Sequence, residues 1–200
     1  MPKAVHWRGG VGDRWMVQPL ARLSRSRANL WLGLGCDWLA ACLLCGAALA
    51  HGGLAAPAAL LIVPLGLLMF SFVEYAAHRW LFHGRTGPLR AGHARHHRNP
   101  AGYDALPFFL PPLVMAGLAG LLMLVLPTAM ALLLAGVFAM GYALYGSSHV
   151  ILHARRFRTP LLARWQRFHD VHHSHPGSNF GVTTGLWDWL LGTEQGRGRK

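Results

Sequence analysis

Histidine is the residue type that points most directly to chemistry in this chain. Ten of the 13 histidines fall into four short clusters, and each cluster lies beside a long apolar stretch. The clustered residues are His78 and His83; His93, His96 and His97; His149 and His153; and His169, His172 and His173. Because imidazole is the commonest metal ligand in proteins, the clusters predict a membrane-embedded site that holds more than one metal ion.

Helix geometry sharpens this prediction. On an α-helix, residues at i, i+3 and i+4 lie within an arc of about 100°, so each His-x-x-His-His motif presents three imidazoles on one face. His149 and His153 share a face for the same reason. His78 and His83 are five positions apart and diverge by about 140° on a straight helix. This spacing predicts that the two either reach different ions or straddle a helix end.

The number of imidazoles favours a dinuclear site. One structural zinc ion usually takes four ligands, so ten histidines are too many for a single ion. Two ions with about five protein ligands each would leave room for water, dioxygen or substrate in near-octahedral coordination. Three histidines lie outside the clusters. His6 and His51 are interpreted as surface residues, and His175 is assigned no role from the sequence.

Long apolar segments must position these histidines. Of the 200 residues, 53% are hydrophobic and 13% are charged, which excludes an ordinary soluble domain. A helix needs about 20 apolar residues to cross a bilayer, and four segments are long enough. They lie at about 28–50, 54–77, 106–126 and 128–148. The predicted fold is therefore an all-α integral membrane protein with four transmembrane helices in two hairpins. Residues 28–200 form one domain after a basic segment at 1–27.

Charge predicts the orientation. All 19 Lys and Arg residues lie outside the four spans, in 1–27, 78–104 and 149–200. With two hairpins these segments emerge on one side, and the positive-inside rule makes that side cytoplasmic. The histidine clusters share this side, which predicts a cytoplasmic helical cap from 78–104 and 149–193. Polar capping of basic helices would explain one cluster, but it does not explain four on the same side.

The net charge of +12 needs no nucleic-acid partner. Membrane topology and attraction to anionic headgroups explain it, and no nucleic-acid-binding motif accompanies it. Arginine far outnumbers lysine, and Ala, Gly and Leu abound, a composition typical of a bacterium with a GC-rich genome. The expected location is the bacterial inner membrane, with the site in the cytoplasm.

Four polar residues near the clusters are candidates for supporting roles. Glu74, Asp170 and Asp188 could accept the free N–H of a ligating imidazole and fix its tautomer. The alternative for each acid is an exposed carboxylate paired with one of the many arginines. Asn179 is interpreted as a turn residue with a hydrogen-bonding role at the site.

From about Phe72 to Thr193 the chain resembles a known superfamily. The order and spacing of the clusters are similar to those of the fatty acid hydroxylase and sterol desaturase superfamily, which are membrane di-metal oxygenases. The sequence motifs around the histidines are most similar to those of fatty acid 2-hydroxylases. These motifs are Glu74-Y-A-A-His78-R-W-L-F-His83, His96-His97-R-N-P-A-G-Y-Asp104 and Phe180-G-V-T-T-G-Leu186-Trp187-Asp188. The resemblance implies that all ten clustered histidines are metal ligands.

The resemblance also implies a reaction and its partners. The expected activity is O2-dependent hydroxylation of a lipid in the bilayer, most similar to fatty acyl 2-hydroxylation, with two iron ions as cofactor. Zinc could occupy the same imidazoles in purified protein but has no redox chemistry. The 200 residues have no room for the fused cytochrome domain of eukaryotic members. Electrons are therefore expected from a separate ferredoxin or b-type cytochrome with its reductase.

Two alternatives stay open. One is a carotenoid or sterol hydroxylase or desaturase of the same superfamily. The other is a non-enzymatic metal transporter or metal-binding membrane protein. A transporter should place ionisable ligands near mid-membrane, along its translocation path. In this chain Asp37 is the only charged residue deep in a predicted span, whereas the ten histidines lie at the span ends.

Overall fold

The computed structural model describes residues 18–84 and 87–195, and the regular structure of that part is helical. A helical stretch over residues 18–23 precedes the helices named here. These are α1 (Arg27–His51), α2 (Ala56–Ala76) with a π-helical turn (Ala77–Phe82), α3 (Pro88–Arg98), α4 (Leu110–Leu122), α5 (Thr128–Ala154), α6 (Pro160–Ser174) and α7 (Leu186–Leu190). Most of the predicted basic segment, with His6, lies outside the described residues.

Three helices are long and apolar enough to cross a membrane. They are α1, α2 together with its π-turn, and α5, and they correspond to the first, second and fourth predicted spans. The third predicted span contains α4, which has only 13 residues. Prolines delimit it, because Pro111 and Pro112 stand in its first turn and Pro127 disfavours helical geometry in the residue before it.

Helix α5 is the central element and packs against α1, α2 and α4. Small residues allow the close approach of its neighbours. A Cβ atom added at Gly136 would lie 2.6 Å from Cys45 Sγ and 2.9 Å from the Cys45 amide nitrogen on α1. The hydrophobic cluster at this contact contains Ala48, Leu133 and Val137. This cluster therefore lies between α1, α2 and α5, at the far end of these helices from the histidines.

Both histidine-bearing long helices extend past their predicted ends. Helix α5 runs to Ala154 rather than ending near residue 148, so His149 and His153 stand on its last turns. Helix α2 passes without a break into the π-turn that carries His78. Three of the clustered histidines are thus fixed to the rigid ends of long packed helices.

The first turn of α1 is tied to the segment that leads into α4. Asn29 donates its side-chain N–H to the Leu106 carbonyl, and its side-chain oxygen accepts from the Phe108 amide, both at 2.9 Å. Nearby, the Ala105 amide donates to the Ser24 carbonyl at 2.9 Å. Helix α4 therefore begins at the same end of the molecule as α1.

Candidate metal centre

The structure gathers all ten clustered histidines into two groups of five. In each group the candidate ligand nitrogens lie within 4.8 Å of one another. The first group contains His78, His83, His93, His97 and His172; the second contains His96, His149, His153, His169 and His173. The groups adjoin, since the rings of His97 and His173 stack at 4.5 Å. Elements far apart in sequence thus build each group.

The spacing of the ring nitrogens fits shared metal ions better than hydrogen bonds. The Nε2 atom of His93 lies 2.9 Å from the Nε2 atoms of His78, His83 and His97 at once. One imidazole nitrogen carries one proton or one lone pair and cannot satisfy three such neighbours. Two nitrogens bound at right angles to one ion at about 2.1 Å would be about 3.0 Å apart. The nitrogen spacing therefore matches that of a metal-ligand set.

A π-helical turn explains why His78 and His83 belong to the same group. A straight α-helix would direct the two side chains apart, but the structure places both in the first group. In the π-turn the His83 amide donates to the His78 carbonyl at 3.1 Å, an i→i+5 bond. This wider turn brings residue i+5 back over residue i. His83 lies just past the helix end, as the other alternative predicted.

Burial keeps the imidazoles in the form that binds metal. It lowers the pKa of His83 to about 4 and that of His96 to about 3, because a charged ring loses its hydration there. Burial also lowers the pKa of His172 to about 3, and nearby histidines add to the shift. Neutral imidazole is the ligand form, so the rings are ready to bind metal at neutral pH.

Two imidazoles of the first group are oriented by backbone carbonyls. The Nδ1 atom of His172 lies 2.7 Å from the Ser178 carbonyl oxygen, and that of His78 is hydrogen-bonded to the Phe180 carbonyl oxygen. An Nδ1–H that donates to a carbonyl leaves the Nε2 lone pair free for a metal ion. Both carbonyls belong to one segment, residues 178–183, which we call the carbonyl loop.

Two buried carboxylates hold the carbonyl loop. Asp188 accepts the amides of Phe180 and Gly181, both at 2.8 Å. Glu74 accepts the amides of Val182 at 2.6 Å and of its neighbour Thr183 at 3.0 Å. The two acids therefore neither bind an imidazole directly nor pair with an arginine on the surface, which were the two predicted alternatives. They act on the histidines through the backbone that they bind.

The other two predicted supporting residues also have clear positions. Asn179 adopts a φ of 54°, a left-handed conformation that Asn tolerates. Its side chain donates to the Phe168 carbonyl at 3.0 Å, which ties the carbonyl loop to α6. Asp170 pairs with Arg156 at 2.9 Å on the exposed surface, the alternative considered for each acid. His51 and His175 are exposed.

Comparison with known proteins identifies the family. A model of the fatty acid hydroxylase family matches residues 63–193, which include all ten clustered histidines. The chain belongs to the fatty acid hydroxylase family. Family membership makes it a metal-dependent oxygenase that hydroxylates lipids, and with its apolar helices it is an integral membrane protein.

Individual relatives agree with this membership. The dihydroceramide fatty acyl 2-hydroxylase FAH2 of Arabidopsis thaliana is 30% identical over 94% of this chain and 89% of its own length. A fatty acid 2-hydroxylase of Rattus norvegicus is 33% identical over 64% of this chain and 38% of its own length. Among solved structures, the hydroxylase domain of scs7p has a TM-score of 0.73 at 24% identity. That match covers 88% of this chain and 70% of the other, and it shows a shared fold.

Sequence reasoning missed one residue that positions the second group in this hydroxylase. The buried side chain of Gln166 on α6 donates to the carbonyls of Leu152, at 2.8 Å, and Arg155. Its oxygen accepts from the Phe157 amide at 3.1 Å. These bonds fix α6 to the end of α5 and so bring His169 beside His153. A glutamine three residues before a His-x-x-His-His motif carries no sequence signal of this role.

Proposed function

We propose that this hydroxylase inserts one oxygen atom from O2 at C2 of a fatty acyl chain, with one iron ion bound by each five-histidine group. The observation that carries the proposal is the pair of five-histidine groups at the ends of long apolar helices. Five ligands per ion leave a coordination position for a reactant. Iron bound by the histidines of each group would supply the redox chemistry that O2-dependent hydroxylation requires.

The proposed substrate class rests on the relatives. The Arabidopsis relatives are dihydroceramide fatty acyl 2-hydroxylases, and the mammalian ones are fatty acid 2-hydroxylases. Two yeast relatives are ceramide very long chain fatty acid hydroxylases. An acyl chain can lie along the apolar helices while its polar end stays near the membrane surface. We therefore propose a membrane lipid with a long acyl chain as substrate.

The stoichiometry requires an electron donor. One oxygen atom of O2 enters the C–H bond, and the other leaves as water after two electrons and two protons are added. We propose a separate ferredoxin or b-type cytochrome, with its reductase, as the source of electrons.

We further propose that residues 28–200 form a single domain with four membrane crossings and a cytoplasmic site. Helix α4 begins beside the first turn of α1, and only five residues separate its end from α5. The histidines of α5 lie at its C-terminal end, so its N-terminal end lies on the opposite side of the molecule. Because α4 leads into that N-terminal end, it must cross the molecule away from the histidines. Its 13 residues span about 20 Å, so the turns at both ends must complete the crossing. The Lys and Arg placement supports cytoplasmic histidines.

Thiol labelling tests this orientation. In a variant without the native cysteines, Ala101→Cys and Gly177→Cys are expected to resist an impermeant thiol reagent in intact cells, because both positions lie on the histidine side. Ala55→Cys, in the turn between α1 and α2, is expected to react. Reaction of all three after cell lysis is the control. Labelling of Ala101→Cys and Ala55→Cys in intact cells would contradict the proposed topology.

Labelled dioxygen tests the reaction. Iron-loaded protein is expected to be inactive alone and to hydroxylate acyl lipid once a ferredoxin or b-type cytochrome and a reductase are added. Mass spectrometry is expected to find one 18O atom at C2 of the acyl chain under 18O2. His169→Ala should abolish the incorporation, because it removes a ligand of the second group.

The other outcomes separate the alternatives. Label that enters only a carotenoid or sterol would replace the acyl assignment by another activity of the superfamily. An acyl double bond without label would indicate desaturation. No oxidation with any donor, in protein that still binds two ions, would favour a role in metal handling.

A further inference from the structure

The two histidine groups differ in how their rings are held. In the first group, the Nδ1 atoms of His78 and His172 bind carbonyls of the carbonyl loop. In the second group, the Nδ1 atoms of His169 and His173 are buried and have no hydrogen-bond partner among the described residues. The first group also contains one such ring, His97. The carbonyl loop therefore orients histidines of the first group.

The carbonyl loop is clamped from two sides. Asp188 on α7 binds the amides on either side of the Phe180 carbonyl, those of Phe180 and Gly181. Glu74 on α2 binds the next two amides. Both acids are buried, with 0% and 6% of their surface exposed, so water does not compete for these bonds. Four consecutive amides are thereby fixed relative to two helices.

The clamp closes back onto the π-turn. Asp188 accepts a hydrogen bond from the Thr193 hydroxyl at 2.6 Å, and this hydroxyl lies 3.0 Å from the Tyr75 hydroxyl. Arg79, the residue after His78, donates to the Tyr75 hydroxyl at 2.7 Å. Asp188 is thus linked to the first group through the loop carbonyls and through the turn that carries His78.

A ring held in place binds a metal ion more tightly than a free one. Its tautomer is already correct, and little side-chain freedom is lost when the ion enters. Outer hydrogen-bond partners of ligating histidines typically change metal affinity by about 10–100-fold. The first group has two such partners on a clamped segment, whereas the Nδ1 atoms of two rings in the second group have none within residues 18–84 and 87–195.

We infer that the two metal sites are unequal: the first group is the tighter site, and Asp188 is a positioning residue that sets its affinity. The second group is the weaker, more exchangeable site. This inference rests on the proposed binding of one ion by each group. The ion of the second group should therefore leave first, and Asp188 should control how tightly the first group holds its ion.

Chelator competition on zinc-loaded protein tests the ranking without any assay of turnover. The wild-type chain is expected to release its two ions in two steps, with affinities that differ by about tenfold or more. Single-ion variants assign the steps. We call the release of the tightly bound ion the tight step and that of the other ion the weak step. His96→Ala weakens the second group, so the tight step should remain. His83→Ala weakens the first group, so the weak step should remain.

Asp188→Asn tests the positioning role. The amide keeps the size of the side chain but loses an acceptor for one of the two loop amides, so the tight step should weaken by about 10–100-fold. The weak step should stay unchanged, which a general loss of folding would not produce. Asp170→Asn is the matched control: Asp170 lies beside His169 in sequence but pairs with Arg156 on the surface. It should leave the tight step unchanged.

Several results would overturn the inference. Equal affinities in the wild-type chain, or a tight step that survives in His83→Ala rather than in His96→Ala, would refute the ranking. Equal weakening of both steps by Asp188→Asn would make the clamp a general structural element. The ranking can be measured even where Asp188→Asn does not fold. A wild-type chain that binds fewer than two ions would instead contradict the proposed function.

Discussion

Replacement of His172 by alanine is expected to lower the metal content of the purified protein from about two ions per chain to about one and to abolish hydroxylation. The Nε2 atom of His172 lies 3.1 Å from those of His83 and His97. Its loss therefore removes a nitrogen from the middle of the first group. His169→Ala is expected to have the same effect on the second group. Elemental analysis of both variants measures the change.

His175→Ala is the matched control for these variants. His175 follows the last His-x-x-His-His motif directly but is exposed and belongs to neither group. Metal content and turnover should stay at wild-type levels in this variant. If His172→Ala and His169→Ala both keep two ions per chain, the ten histidines do not form the centre that we propose.

Removal of the metal is expected to release α3 from the rest of the molecule. His96 is the one buried residue that this helix contributes, and His93 and His97 are half-buried beside it. Without ions, little apolar contact holds α3 in place, so its local stability should fall. Trypsin cleavage after Arg90, Arg95 or Arg98 should accelerate by at least about tenfold, equivalent to about 1.4 kcal/mol. Peptide mass mapping of chelated and metal-loaded protein in detergent measures the difference.

Helix α6 supplies an internal control for this experiment. It also carries three histidines of the centre, but Gln166 binds the end of α5 without any metal. Cleavage after Arg164 should therefore accelerate less than cleavage in α3. Restored protection of α3 after metal is added back would exclude irreversible damage. Equal acceleration at both helices would indicate that the whole histidine side opens together.

The positions of the long helices and the gathering of the ten histidines could be predicted from sequence, because hydropathy and residue spacing encode both directly. Three predicted spans coincide with long apolar helices. The same spacing rules assume regular α-helix, however, and so they separated His78 from His83. A π-turn depends on what the turn packs against, and the spacing alone does not specify it.

The supporting network could be predicted only in part. For Glu74 and Asp188 the sequence left two alternatives, a direct hydrogen bond to an imidazole or an exposed ion pair with an arginine, and the structure shows neither. The groups that contact His78 and His172 are backbone carbonyls, which every residue possesses and no sequence pattern marks. Gln166 was missed for a related reason, since its partners are the free carbonyls at the end of α5.

The π-turn between His78 and His83 has a consequence for insertions and deletions in this family. A deletion of one residue between these histidines would leave them at i and i+4, where an ordinary α-helix places both side chains on one face. His149 and His153 already use that arrangement. Either spacing therefore brings two imidazoles into the same histidine group, with the helix changing its winding by one residue. Searches for distant members should accept three or four intervening residues in the first histidine pair.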